Sequence, residues 1–370
     1  MSKSIKKQVL NECQNSRSFR FAISQKSHIW FFQLYLTHYL NYPFAWFHKQ
    51  MFEISEDPSV NFAAIIAFRG AGKSTILNLS FALWAVLGQP QRKFVIIASK
   101  SMAQAKAHLK NIKHELENND LLINDFGQLL NKKTNRNSSI IEIDKFEAII
   151  MATSTAKSLR GLRHGTNRPD LIICDDLEDN ESEKNERERN SIYQWFVNEI
   201  MSSRSVNTKI IVLGGLFHIE SLIMRLKEDI DTNKIDGTFR AYPILDDNNK
   251  ILWPEKFRTQ QDIKQLKISI ADETVWHNEY LLIPTRFRMT HLIDALKNHK
   301  TVPADHENNK KITKRVFDNN GYKIGAPTII DYNFLFKGYN SQPTQKTKPI
   351  INDNEEIRDL IKKYKIPNNP

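Results

Sequence analysis

The stretch "FRGAGKST", Phe68–Thr75, decides the reading of this chain. It follows the apolar run "FAAIIAF" at residues 62–68 and leads into "KSTILNLSFALWAVLG" at residues 73–88, whose apolar residues recur at helical spacing and stop at Gly88, with Pro90 beyond. A strand, a glycine-bearing turn and a helix opening on Lys-Ser form the setting of a phosphate-binding loop. Such a loop aims backbone N–H groups at an anion from a helix N-terminus, where the helix dipole favours negative charge. Glycines let the chain pass close to the phosphates, and a lysine reaches the outer ones. Gly70, Ala71, Gly72, Lys73, Ser74 and Thr75 supply the loop and its first helical residues. The Ser74 hydroxyl is suited to ligate Mg²⁺. The usual pattern, G-x-x-x-x-G-K-[ST], opens on glycine; here Ala67 stands in that place, and Arg69 lies inside the loop.

A partner for the loop lies roughly 100 residues downstream, in "LIICDDLED" at residues 171–179. A wholly apolar strand there delivers Asp175 to the edge of a sheet, where ligands bind in open α/β folds. Taken alone, a strand ending in solvated acids is commonplace. After a phosphate loop, Asp175 reads as the carboxylate that holds Mg²⁺ through water. A second carboxylate must orient and deprotonate an attacking water, and both Asp176 and Glu178 are within reach. Between loop and acids, "STAKSLRGLRHGTNRPD" at residues 154–170 carries Arg160 and Arg163. These suit either an arginine finger, neutralising charge on a transferring phosphoryl group, or contacts to DNA phosphates or solvent. The strand "IIVLGGLFH" at residues 210–218 ends on Gly214–Gly215, which offer backbone only.

Around these motifs, strands and helices alternate. "KFVIIAS" (93–99) and "TKIIVLGG" (208–215) read as strands, while "SMAQAKAHLKNIKHELENN" (101–119) and "SEKNERERNSIYQWFVNEIMSS" (182–203) read as helices. "SIIEID" and "EAIIMAT" read as a hairpin about Lys145–Phe146. Short continuous apolar strands between helices indicate a mostly parallel sheet covered on both faces. Residues 1–30 are polar and expected to fray, and 28–55 look helical with a break at Asn41–Pro43. The ATPase core is expected over 31–235, a closing or linker segment over 236–285, and a basic, loosely structured tail over 286–370 with a short helix at "DNEEIRDLIKKYK".

With 370 residues, 40% hydrophobic and 26% charged, the chain has enough apolar content for a substantial core. Its net charge is +11, and 16 Lys/Arg against 9 Asp/Glu place +7 of that in residues 286–370. Such an excess favours a polyanionic partner, nucleic acid being the usual one, or serves solubility alone. Two cysteines far apart in sequence, Cys13 and Cys174, argue against a disulfide framework and fit a reducing cytosol. The N-terminus lacks the apolar core of a signal peptide, and no stretch approaches the roughly 20 apolar residues that span a bilayer, so no membrane partner is expected.

Taken in order, these motifs resemble the ATPase half of the large terminase subunit of tailed bacteriophages, the DNA-packaging motor. The resemblance rests on the arginine-bearing loop without its first glycine, "VIIASKSMAQAKAHLKNIKHELENND" with its Gln104–Ala105 pair, "SLRGLRHGTNRPDLIICDDLED", and "ILWPEKF" followed by "WHNEYLLIP". It covers roughly residues 40–285, and the Leu-Arg-Gly-x-Arg block running into Asp-Asp-x-Glu is its most specific part. It implies a RecA-like P-loop ATPase fold, with Lys73 and Ser74 on the phosphates and Mg²⁺ and Arg69 reaching into the nucleotide site. It makes Asp175 the Walker B aspartate, with Asp176 or Glu178 catalytic, and gives Arg160 a role across a subunit boundary. It also implies ATP and Mg²⁺ as cofactors and a homo-oligomeric ring, a pentamer, acting on double-stranded DNA with the phage portal ring and the small terminase subunit in the host bacterial cytoplasm.

Two departures stand against the pattern. Gly215 occupies the place where the family's coupling strand ends in Thr or Ser. The family's C-terminal nuclease of RNase H type needs acids on strands around two metals. After Thr285 the chain offers Asp331 on one strand-like stretch, and Asp353, Glu355 and Glu356 on a polar one. The expectation is that the nuclease is absent or truncated, encoded separately or lost from a decayed prophage gene. A helicase or repair ATPase of the same fold, and a non-catalytic DNA- or portal-binding remnant, are the alternative readings.

Overall fold

A computed structural model describes residues 3–130, 137–179, 182 and 185–284. The expected tail over 286–370, its short helix, and Asp331, Asp353, Glu355 and Glu356 lie outside the described residues.

The core is a seven-stranded sheet: β1 (Phe62–Ala67), β2 (Phe94–Ser99), β3 (Ile140–Ile143), β4 (Ala148–Ser154), β5 (Leu171–Asp175), β6 (Lys209–Gly214) and β7 (Thr238–Tyr242). Their order is β3-β4-β2-β5-β6-β1-β7. Every pairing is parallel except β3 with β4, the expected hairpin, in which Ile143 pairs with Ala148. This is the RecA-like arrangement, with the loop strand β1 and the acid strand β5 separated by one strand, β6.

The alternation of side chains along a strand explains why the central runs are wholly apolar: both faces are covered. From β1, Ala63, Ile65 and Ala67 join one hydrophobic cluster. That cluster also holds Met51 of α4 (Trp46–Glu56), Leu83 of α5 (Phe81–Leu87) and Leu109 of α6 (Met102–Asn118). Phe62, Ala64 and Ile66 join the cluster on the other face, with Ile192 of α8 (Glu186–Trp195) and Leu226 of α9 (Leu222–Asp231). The edge strand β3 buries alternate residues instead, and β7 does so until Ala241 and Tyr242, which are both buried. The sequence pattern loosens near residue 235 for this reason: β7 belongs to the same sheet, yet its period-2 burial hides it among polar neighbours.

The N-terminal residues differ from expectation. They form α1 (Lys3–Asn15), α2 (Arg17–Lys26) and α3 (His28–Tyr35), the last two capped by Ser16 and Ser27. Val9, Cys13, Phe19, Ile23 and Trp30 make a small core of their own. The Arg20 guanidinium makes two 2.6 Å bonds to Asp125, at the end of α7 (Asp120–Phe126), and the Tyr35 hydroxyl donates to the same carboxylate at 2.8 Å. A few apolar residues at helical spacing, plus one buried ion pair, hold down a segment whose average composition is polar. Both cysteines are free and buried. Among the described residues no helix is long and apolar enough to cross a membrane.

Candidate nucleotide-phosphate site

Beyond β1 the chain turns sharply through Phe68–Gly72. Gly70 and Gly72 have φ of +77° and +80°, a left-handed backbone open to glycine at no steric cost. Two side chains hold the loop carbonyls. His48 donates from Nε2 to Ala71 O at 2.9 Å; its Nδ1 accepts from Ala45 N at 2.9 Å, which fixes the tautomer. Burial pushes the His48 pKa down to about 4, so the ring is neutral near pH 7. Lys256 Nζ donates to Gly70 O at 3.0 Å while lying over the Trp253 and Phe257 rings. In a trans peptide the carbonyl and the following N–H point opposite ways. Drawing Ala71 O back onto His48 therefore turns the Gly72 N–H outward.

Arg69 is pinned at the rim. Its backbone N–H donates to Glu279 O at 2.8 Å and its guanidinium to Glu279 Oε2 at 2.7 Å. The "WHNEYLLIP" segment, which resembles the one that closes the ATPase region, thus reaches the loop through Glu279. Ser74 and Thr75 open the following helix, which winds wide over Thr75–Ser80 before tightening into α5.

Across the cleft, β5 ends in Asp175, which is fully buried. Its Oδ2 accepts from Asn78 Nδ2 at 3.0 Å and lies 3.7 Å from His108 Nε2, while Oδ1 has no hydrogen-bond partner. Asp176 turns left-handed (φ +51°), with its N–H on Leu213 O. Its Oδ1 comes within 3.6 Å of Lys73 Nζ. Burial works against the Lys73 ammonium, yet Asp176 and Asp175 outweigh it and hold its pKa above the ordinary lysine value. Burial raises the Asp176 pKa against the pull of Lys73.

Glu178 goes elsewhere. Its Oε2 accepts from Leu222 N at 2.8 Å, at the first turn of α9, and burial pushes its pKa up to about 7. The small crevice it faces is lined by Asp176, Leu177, Gly214, Gly215 and Phe217. Arg160 and Arg163 sit on an exposed loop, where Arg160 Nε is 3.4 Å from Glu199. The structure thus brings together Lys73, Asp175 and Asp176; it pairs Arg69, Arg160 and Glu178 with other partners.

A magnesium–nucleoside triphosphate fits these residues. A buried carboxylate oxygen without a partner is costly, and Asp175 Oδ1 is such an atom, on the strand across from a glycine turn that ends in the half-buried Lys73. Lys73 and the loop amides would hold phosphates, and Ser74 with Asp175 the cation. No family model matches the chain, and no curated protein matches it. Among solved structures, it is similar to the large terminase of bacteriophage HK97, at 16% identity and a TM-score of 0.46, over 64% of this chain and 50% of that one. It is also similar to the large terminase of a thermophilic bacteriophage in two crystal forms, at 10% and 11% identity and a TM-score of 0.42, over 65% of this chain and 53% and 52% of those. The chain spans about half the length of these structures.

Sequence reading missed His48, Lys256, Glu279, Asn78 and His108. Lys256, Glu279 and His108 lie in stretches quoted above, and His48 outside them, but nothing local in the sequence says which atom each one reaches. Asn78 did carry a local signal: it is an amide inside a mostly apolar helix, four positions after Ser74.

Proposed function

We propose that the chain is the ATPase motor part of a phage large terminase, hydrolysing ATP to drive double-stranded DNA into a capsid. The observation that carries this is the 3.6 Å approach of Lys73 to Asp176 beside the unpartnered oxygen of buried Asp175. The ordered motifs and the net charge of +11 support the choice of DNA as the thing moved. On this reading Lys73, Gly70, Ala71, Gly72 and Thr75 form the phosphate cradle, and Ser74 and Asp175 hold Mg²⁺. Bound Mg²⁺ would neutralise charge on the phosphates. Asp176, beside Lys73, takes the water's proton, while Glu178 is held through Oε2 at the start of α9. Arg160 and Arg163, on their exposed loop, would serve a neighbouring subunit of a pentameric ring, and Arg69 would flank the nucleotide. The portal ring, the small terminase subunit and a site of action in the host bacterial cytoplasm belong to the same proposal.

The test is phosphate release by the purified chain, with and without duplex DNA, beside Lys73→Ala. DNA-stimulated hydrolysis that the variant lacks is expected. A wild type that releases no phosphate under ring-forming conditions overturns the proposal. The bare Gly214–Gly215 end of β6 favours a second reading, a DNA- or portal-binding protein without coupled hydrolysis. Salt-sensitive DNA binding with no Mg–ATP binding would select it.

A further inference from the structure

Several buried polar atoms without hydrogen-bond partners surround the Asp175 carboxylate. Asp175 Oδ1 is one; Asn78 Oδ1 and His108 Nε2 are two more. Ser99 Oγ is a fourth, one position past Ala98, which pairs with Cys174, so Ser99 stands level with Asp175 on the neighbouring strand. These residues share one face of the sheet. Cys174 and Ala98 belong to the cluster on the opposite face, and alternation puts Asp175 and Ser99 on the α5–α6 side.

Two helices therefore converge on one oxygen. Asn78 Nδ2 donates to Asp175 Oδ2 at 3.0 Å, from the widened turn Thr75–Ser80. Such wide turns inside helices recur at functional sites. His108 Nε2, from α6, stands 3.7 Å from the same oxygen, just beyond hydrogen-bond reach. Polar contacts of this kind commonly shorten when a ligand draws its partner into place.

We propose that Asn78 and His108 are positioning residues: together they hold Asp175 by Oδ2 and so keep Oδ1 as the oxygen offered to the cation of a magnesium–nucleoside triphosphate. This rests on the nucleotide reading of the site. Outer partners that orient a ligating carboxylate set its metal affinity, and losing one typically costs 10- to 100-fold. A role confined to packing would instead weaken the phosphate loop and the cation site together.

The experiment measures binding of a fluorescent ATP analogue to the full chain, first in excess chelator and then across a Mg²⁺ titration. Wild type is compared with Asn78→Leu, His108→Leu and His108→Gln. Both leucine variants are expected to need roughly 10- to 100-fold more Mg²⁺ for half-saturation. Binding in chelator, carried by Lys73 and the loop, is expected to stay within about twofold, and His108→Gln to recover most of the loss through its amide. If every variant keeps the wild-type Mg²⁺ requirement, the inference is overturned while the nucleotide site stands. If the variants lose chelator and Mg²⁺ binding in equal proportion, the two residues only support the fold, and the inference is overturned. If wild type binds no nucleotide in either condition, the nucleotide reading falls and this inference with it. Should a leucine variant not fold, His108→Ala together with Asn78→Ala decides the matter by the same two readings.

Discussion

Asp176 and Glu178 are two positions apart and both carry a carboxylate, yet their backbone sends them to different neighbours. The left-handed turn at Asp176 aims its carboxylate at Lys73. By the next acid the chain has carried Glu178 to the start of α9. If Asp176 is the base, Asp176→Asn should lower kcat by about 10²- to 10⁴-fold, the usual range for losing a general base. Glu178→Gln should leave kcat within a few-fold; steady-state kinetics of the two variants decides between the carboxylates. The Glu178 pKa also predicts a pH effect on folding. A folded-state value raised to about 7 from 4.5 means the folded form holds its proton more tightly. Its share of stability is full below pH 4.5 and is lost as pH rises through 7, amounting to about 3 kcal/mol at most. Thermal melts should show wild type losing ground to Glu178→Gln between about pH 5 and pH 8; a difference that does not change with pH would contradict it.

At the scale of elements, the loop's shape depends on distant supports. Gly72 has room for a methyl group, since an added Cβ would come no nearer than 3.8 Å to His48. Any penalty for Gly72→Ala is therefore conformational, about 1 kcal/mol for forcing alanine into a left-handed backbone. The variant should melt only slightly earlier than wild type, while its nucleotide affinity falls at least tenfold as the loop relaxes away from φ +80°; calorimetry beside ligand titration separates the two. This contrast also shows what the sequence could convey. Central strands such as "LIICD" and "FVIIAS" are legible because burial on both faces leaves continuous apolar runs. The loop is legible because backbone geometry restricts it to glycine. His48, Lys256 and Glu279 are not legible, because each acts through a contact that only tertiary folding creates. The helices α1 and α2 were obscured by averaging: Phe19 and Ile23 matter more than the polar residues around them, and Ser16 was a readable cap.

For the molecule as a whole, the N-terminal helices are part of the folded body. Phe19 is fully buried, and the neighbouring Arg20 is tied to Asp125. Phe19→Ala should cost about 3–5 kcal/mol, the usual loss for a buried aromatic ring, read as a lower denaturant midpoint. Frayed helices would give no measurable change. The sheet sets a larger dimension. β6 lies between the strand that leads into the lysine and the strand that carries the acids. With neighbouring strands about 4.8 Å apart, the two walls stand roughly 10 Å from each other. That interval is a property of backbone pairing and is indifferent to side-chain identity. The gap is therefore gauged by the strand lying between the two, and Gly214, at its tip, adds no side chain to fill it.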